Sequence, residues 1–253
     1  MRQMLTEERK SEILNLVNEK KSVTVRELVE IFGVSEATVR RDITALGKEG
    51  RLVKVFGGAV ALEDPATQTE LSVIMRESIN RDAKLAIAKY AASLIMPGDY
   101  VYIDSGTTTE YMIGFITEKN ATYVTNSVSH AQNLMSKGLK TLLVGGELKE
   151  DLNVVIGADA VLHIQKYHFS KGFFGTEGVD FRMGFTAADV REALIKRVAI
   201  QNTESGERYV LADHEKFGQT STVSFSDFMG TIVLTDKYPG ESYSKKMDIK
   251  VVQ

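Results

Sequence analysis

The sequence predicts an α/β protein in two parts: a small N-terminal three-helix unit closed by a hairpin, and a larger unit built on a mainly parallel sheet. Three observations carry that prediction. Residues 6–50 hold three amphipathic segments separated by short breaks, and a polar stretch containing Pro65 follows them. Beyond it, apolar strand-like runs alternate with amphipathic helical ones, the pattern of strand–helix–strand units whose helices cover a sheet. The expected boundaries are 1–62 for the first unit, 63–75 for a linker and 76–253 for the second.

Taken in order, Thr6 followed by Glu7 and Glu8 is an N-cap with an acidic first turn, and Ile13, Leu14 and Val17 form the apolar stripe of a first helix running to about Asn18. Val25, Leu28, Val29 and Phe32 recur at i, i+3, i+4 and i+7, which predicts a second helix over Val25 to Phe32 that Gly33 stops. Ser35 caps a third helix reaching about Glu49, with Gly50 at its end. Leu52 to Val55 and Ala59 to Leu62 are extended pieces flanking Gly57-Gly58, a pair able to take the positive φ of a tight turn. In the second unit the expected strands are Tyr100 to Ile103, Tyr123 to Thr125, Thr141 to Val144, Gly172 to Phe174, Tyr209 to Ala212 and Ile232 to Leu234. The expected helices between them are Leu85 to Ile95, Thr109 to Ile116, Val128 to Lys137, Asp159 to Gln165 and Val190 to Gln201.

Composition narrows the function classes. A chain of 253 residues with 43% hydrophobic and 26% charged residues fills a real core. Zero cysteines exclude a disulfide scaffold, a thiol nucleophile and cysteine-ligated metal, and fit a reducing cytoplasm. His130, His163, His168 and His214 are the only histidines, so no metal and no cofactor is expected. Met1 to Lys10 turns charged at once and no long apolar run follows, so neither a signal peptide nor a membrane span is expected and the location predicted is cytoplasmic. The net charge of −3 divides unevenly: residues 1–62 hold 11 Lys+Arg against 9 Asp+Glu, leaving 20 against 25 for the remainder. A basic head on an acidic body permits nucleic-acid contact at the N-terminal end.

On a wheel of ~100° per residue, Val39, Ile43 and Leu46 of the third helix share an inward face, while Ala37, Arg40, Arg41 and Thr44 lie opposite, with Thr38 at the edge. Two adjacent arginines on the outer face of a capped helix, preceded by a short turn and another helix, suit entry into a DNA major groove. Arginine can grip guanine or phosphate, and Ser35, Thr38 and the helix-start N–H groups suit phosphate oxygens. Arg51 and Lys54, beside the Gly57-Gly58 turn, would reach the DNA as a wing. The plain alternative is a solvated charged face on an ordinary three-helix unit.

A second constellation, Asp104-Ser105-Gly106-Thr107-Thr108-Thr109, follows a buried strand and opens a helix. Such a turn aims backbone N–H groups and a helix dipole at one spot, and its hydroxyls add donors, so it suits a phosphate-sized anion; the plain alternative is that Ser105 or Thr107 merely caps the helix. No nucleotide fingerprint of the G-x-x-x-x-G-K-[ST] or G-x-G-x-x-G type occurs. Ligands of parallel sheets bind at the carboxyl ends of strands, where this chain carries Asp104, Asn126, Gly145, Gly175, Thr176, Glu177, then Asp180, then Asp213 and Lys216. Lys216 would add positive charge, Glu177, Asp180 and Asp213 would accept sugar hydroxyls, and Lys196 is expected as a solvated helix charge, the alternative being that it enters the site.

Both constellations resemble the DeoR family of bacterial regulators. Ser35-Glu36-Ala37-Thr38-Val39-Arg40-Arg41-Asp42 matches its S-x-x-T-[IV]-R-R-D, and Lys54-Val55-Phe56-Gly57-Gly58-Ala59 resembles its R-x-H-G-G-A, with Lys54 for arginine and Phe56 for histidine. Lysine keeps the charge but not the guanidinium fork. The later motifs D-x-G-T-T, T-N-S, G-G, G-x-x-G-[VI]-D, K-R and D-x-x-K-[FI]-G stand at Asp104 to Thr108, Thr125 to Ser127, Gly145-Gly146, Gly175 to Asp180, Lys196-Arg197 and Asp213 to Gly218. The resemblance implies a winged helix-turn-helix repressor of operator DNA, with a sensor domain similar in fold to pentose-phosphate isomerases and a phosphorylated sugar as inducer. It assigns the phosphate to Ser105, Gly106, Thr107, Thr108 and Lys216. Within the family the sequence looks most like fructose-operon repressors, making fructose 1-phosphate the first ligand to try.

Operator recognition by one short helix discriminates little, so the repressor reading requires a homo-oligomer, a dimer or tetramer. The competing reading is an aldose–ketose phosphate isomerase, with a base and an electrophile drawn from Glu177, Asp180, Asp213 and Lys196. Nothing in the spacing fixes such a pair, and an enzyme has no need of Arg40 and Arg41 on an exposed helix.

Overall fold

The computed structural model describes residues 6–55, 57–62, 76–149 and 153–252. The expected linker over 63–75 and the wing position Phe56 lie outside them. Internal contacts divide the chain into two units, Met1–Ile79 and Asn80–Gln253.

In the first unit the helices are α1 (Thr6–Lys20), α2 (Val25–Phe32) and α3 (Glu36–Lys48), and three short strands are β1 (Ser22–Thr24), β2 (Val53–Val55) and β3 (Gly58–Val60). The apolar stripes of the helices meet: Ile13, Val17, Leu28, Val39, Ile43 and Leu46 are all buried in one core. Local chemistry sets the helix ends. Thr24 accepts from the Glu27 N–H while Glu27 reaches back to Thr24, a reciprocal capping box, and Gly33 ends α2 at φ 63° in the left-handed region. Arg9 of α1 donates Nε to Asp42 Oδ2 of α3 at 2.6 Å, both buried, which locks α3 against α1. The expected hairpin is part of a three-stranded antiparallel sheet in the order β1-β3-β2. Strand β1, which the sequence did not disclose, pairs with β3 at Ser22↔Val60.

The second unit is a fully parallel seven-stranded sheet with helices on both faces. Its strands are β4 (Tyr100–Ile103), β5 (Thr122–Thr125), β6 (Lys140–Leu143), β9 (Lys171–Gly175), β12 (Arg208–Leu211), β14 (Thr231–Thr235) and β15 (Asp248–Val251), in the order β15-β14-β12-β9-β4-β5-β6. Alternation along the strands sorts two cores. Tyr102, Val124, Phe174, Val210 and Val233 face one side with α7 (Ala158–Ile164) and α8 (Val190–Gln201). Val101, Tyr123, Phe173, Tyr209 and Leu234 face the other with α4 (Arg81–Ser93), α5 (Thr107–Phe115) and α6 (Val128–Ser136). A hairpin of β7 (Glu147–Lys149) and β8 (Val154–Ile156) and an antiparallel sheet of β10 (Gly178–Asp180), β11 (Gly184–Ala187) and β13 (Val223–Ser226) complete the unit, with a short α9 (Glu241–Ser244) near the end. Among the described residues no helix is long and apolar enough to cross a membrane.

Candidate functional site

The outer face of α3 is organised from its first residue. Ser35 caps the helix, its Oγ accepting the Thr38 N–H at 3.2 Å and lying 2.9 Å from the Thr38 hydroxyl. With Val39, Ile43 and Leu46 drawn into the core, Ala37 and Arg41 are exposed and Thr38, Arg40 and Thr44 half-buried. Arg40 is paired along the helix with Glu36 through both Nε and Nη2. Thr44 donates to the Arg40 carbonyl at 2.7 Å and accepts from Lys54 Nζ at 3.1 Å, so the wing lysine leans onto α3. Arg51 is exposed, with Nη1 3.7 Å from Glu49. Gly57 takes φ 81°, and a Cβ there would strike Ile79, while Gly58 is buried in β3. Arg40, Arg41, Thr44, Ala45 and Lys48 line an open depression of about 360 Å³. Arg41 is thus displayed on the outer face of α3.

The second site lies where β4 runs into α5. Gly106 is the N-cap of α5 with extended backbone, and no side chain caps the helix. The plain alternative, that Ser105 or Thr107 serves as the cap, is therefore not what the structure does. Ser105, Gly106 and Thr107 are half-buried and Thr108 is buried, leaving the first turn's N–H groups at the carboxyl edge of the sheet. Thr109 is fully buried and its hydroxyl donates to the carbonyls of Asp104 (2.6 Å) and Gly106 (2.9 Å), so it shapes the turn. Gly106 and Gly175 approach closely: a Cβ on Gly106 would lie 3.3 Å from Thr109 Oγ1 and 4.0 Å from Gly175 Cα.

For Lys196 the structure takes the alternative that the sequence left open. Instead of a solvated helix charge it is 6% exposed, its Nζ bonded to Asp104 Oδ2 and to the Gly175 carbonyl at 3.2 Å. Asp104 Oδ2 also accepts the Gly175 N–H at 3.0 Å. Burial pushes the Asp104 carboxyl above its usual range and the adjacent ammonium opposes that rise. Asp104, Gly106, Thr109, Gly175 and Lys196 therefore form one cluster beneath the open helix end. The signal for Lys196 was present in the sequence: Ala193, Ala199 and Ile200, at i−3, i+3 and i+4, give that face of α8 an apolar character.

The other strand-end residues hold local structure. Asn126 is buried, accepting the Tyr102 hydroxyl at 3.1 Å and donating to the Val155 carbonyl at 3.2 Å. The Gly145 N–H donates to His163 Nδ1 at 2.8 Å. Thr176 is buried and donates to the carbonyls of Gly178 and Thr186. Glu177 accepts the Ser221 hydroxyl at 2.9 Å. Asp180 accepts the N–H groups of Arg182 and Met183 and the Thr220 hydroxyl, which fixes the turn into β11 and holds its carboxyl below the usual range. Asp213 is buried, accepting Asn80 Nδ2 at 2.9 Å and the Glu215 N–H at 3.1 Å, and caps the short helical turn His214–Lys216 that carries Lys216 half-buried. The four groups that isomerisation would recruit are thus separately engaged. Among the described residues no cluster of three His, Asp or Glu side chains is placed to hold a metal. A larger open groove of about 820 Å³, walled by Phe181, Arg197 and Phe228, contains none of the residues of the Asp104 to Thr109 turn.

Comparison with known proteins gives one family for both units of the chain. The DeoR-like helix-turn-helix domain matches residues 9–64 and the DeoR C terminal sensor domain matches residues 79–237. The chain is 39% identical to the uncharacterized HTH-type transcriptional regulator FruR of Bacillus subtilis, covering 99% of this chain and 100% of that one. It is 31% identical to the putative aga operon transcriptional repressor of Escherichia coli O157:H7 (98% and 93% covered). The lactose phosphotransferase system repressor of Staphylococcus aureus is 34% identical, with 86% of each chain covered. Among solved structures, ribose 5-phosphate isomerase A of Methanocaldococcus jannaschii is similar over 55% of each chain at 16% identity and a TM-score of 0.39.

Proposed function

The chain belongs to the DeoR family of transcriptional regulators, which are not enzymes, and from that membership we propose that it represses a sugar-utilisation operon. In this reading α3 enters the major groove of operator DNA, and a phosphorylated sugar seated at the Ser105 to Thr108 turn releases it. The protein then works in the cytoplasm as a dimer or tetramer, because two heads on spaced half-sites multiply the discrimination of one. The observation that carries the sensor half is the uncapped α5 N-terminus standing over a buried lysine. Its N–H groups and its dipole favour a dianionic phosphate there, and the Lys196–Asp104 pair beneath holds the turn in place. Relatives named for aga-operon and lactose-phosphotransferase repression support a carbohydrate signal. Fructose 1-phosphate is the first candidate inducer. Its binding must favour the arrangement that leaves DNA, since a ligand with equal affinity for both states shifts nothing.

The test is thermal unfolding against a panel of sugar monophosphates and their free sugars. A ligand that binds only the folded state adds about 2.7 kcal/mol at a hundredfold excess over Kd. Stabilisation by one phosphate ester, absent with its parent sugar, is the expected result. A melting temperature unmoved by every ester would contradict the sensor reading.

A further inference from the structure

His130 sits in the first turn of α6 and is 2% exposed, yet its Nδ1 has no hydrogen-bond partner. Buried polar atoms are rarely left in that state, and one that is calls for an explanation. Its position in the fold supplies one. Helices α5 and α6 follow adjacent parallel strands, β4 and β5, and therefore run side by side in the same direction. Asn133 Nδ2 lies 3.4 Å from Glu110 Oε1 as its donor, which shows which positions of the two helices are level. One turn back on each helix, three residues earlier, stand His130 and Thr107. The backbone position of His130 is accordingly level with the start of the anion-binding turn, and the orphaned imidazole is buried. It also lies within electrostatic reach of the Lys196 ammonium, which, after burial, is the second influence that pulls its pKa down to about 4. A neutral imidazole beside an anion site is suited to a hydroxyl group and adds no charge to attract a second anion.

We propose that His130 is a specificity residue of the sensor pocket, its Nδ1 exchanging a hydrogen bond with a hydroxyl of the carbohydrate whose phosphate occupies the Ser105 to Thr108 turn. This rests on the sugar-phosphate reading of that turn and extends it: the turn recognises the phosphate, and His130 recognises the polyol attached to it. Phosphate alone leaves Nδ1 unpartnered, whereas a sugar phosphate satisfies it.

The experiment measures the affinities of the full-length protein and two variants for inorganic phosphate and for the monophosphate that stabilises the unsubstituted protein most, starting with fructose 1-phosphate. His130→Leu fills the volume without a hydrogen-bonding atom, and His130→Asn places one where Nδ1 stands. The leucine variant is expected to weaken sugar-phosphate binding roughly tenfold relative to inorganic phosphate, and the asparagine variant to restore most of that loss. Equal sugar-phosphate affinity in the leucine variant, or an equal loss for both ligands, overturns the role of His130. If no monophosphate binds the unsubstituted protein, the sensor reading itself has failed, and the proposal falls with it. A readout that needs no substitution guards against misfolding: the imidazole 15N shift of His130 should move on adding the sugar phosphate and stay put on adding inorganic phosphate. A shift unmoved by a sugar phosphate that binds contradicts the proposal.

Discussion

Arg40 and Arg41 are neighbours with different circumstances. Arg40 is held by Glu36 one turn earlier, whereas Arg41 is exposed. An exposed pair at i, i+4 is worth a few tenths of a kcal/mol, so Arg40 can exchange Glu36 for a phosphate at little cost, and Arg41 can reach a base edge. Arg41→Ala is predicted to weaken operator binding by about 1–3 kcal/mol, read by titration at fixed salt; unchanged affinity removes Arg41 from the interface. Lys196 works by burial. Removing it leaves the Asp104 carboxylate enclosed without its counter-ion, and breaking such a pair typically costs about 3–5 kcal/mol. Lys196→Met should therefore lower unfolding stability substantially at neutral pH. The deficit should shrink toward acid pH: with its folded pKa raised above the unfolded value, Asp104 takes up a proton more readily in the native state, so the lost stability returns as pH falls. Equal deficits at pH 5 and pH 8 would contradict the buried-charge account.

Helix α2 shows how much of an element is legible in its residues. Its four apolar positions set its length and Gly33 its end, and Val25–Phe32 forms as expected. Strand β1 immediately before it is three residues long, too short for an alternating pattern to register, and it exists because β3 pairs with it. Thr24 serves both elements, ending β1 and capping α2. Thr24→Ala is predicted to cost about 1 kcal/mol of unfolding stability in the first unit, measured by denaturant titration; no change would mean that the capping box contributes nothing. The same distinction runs through the second unit. The six parallel strands visible as apolar runs are all present, shifted by a residue or so at their ends. Strand β11 bears no such mark because Gly184 to Ala187 are all buried, leaving no alternation, and its partners β10 and β13 are joined by long-range pairing. The motif spacing made the Asp104 to Thr109 turn legible. The apolar neighbours Ala193, Ala199 and Ile200 mark the Lys196 face of α8 as inward, but that its ammonium meets Asp104 beneath this turn follows from tertiary packing alone.

Across the molecule, the titration of His130 bears on pH response. Burial and the Lys196 charge take its pKa from an ordinary 6.5 to about 4. Between those values the unfolded chain binds the extra proton and the native state does not, so stability rises with pH through that window. The contribution is complete above pH 6.5 and is lost on descending toward pH 4, up to about 3 kcal/mol. Chemical denaturation at intervals from pH 4 to pH 7 should show that slope and His130→Asn should flatten it; a slope the variant retains belongs to other groups. The proposed function joins two sites of one chain, a helix that would read DNA and a turn that would read phosphate, through a shared conformational equilibrium. The most direct test is the affinity of the full-length protein for a duplex that it selects from a random pool, titrated at constant ionic strength with fructose 1-phosphate, fructose and inorganic phosphate, and repeated with Thr107→Val. The sugar phosphate is expected to weaken DNA binding and fructose to leave it unchanged, while the Thr107→Val protein binds the duplex normally but is not released. A protein that selects no duplex, or a sugar phosphate that stabilises the protein yet leaves DNA affinity unchanged, would contradict it.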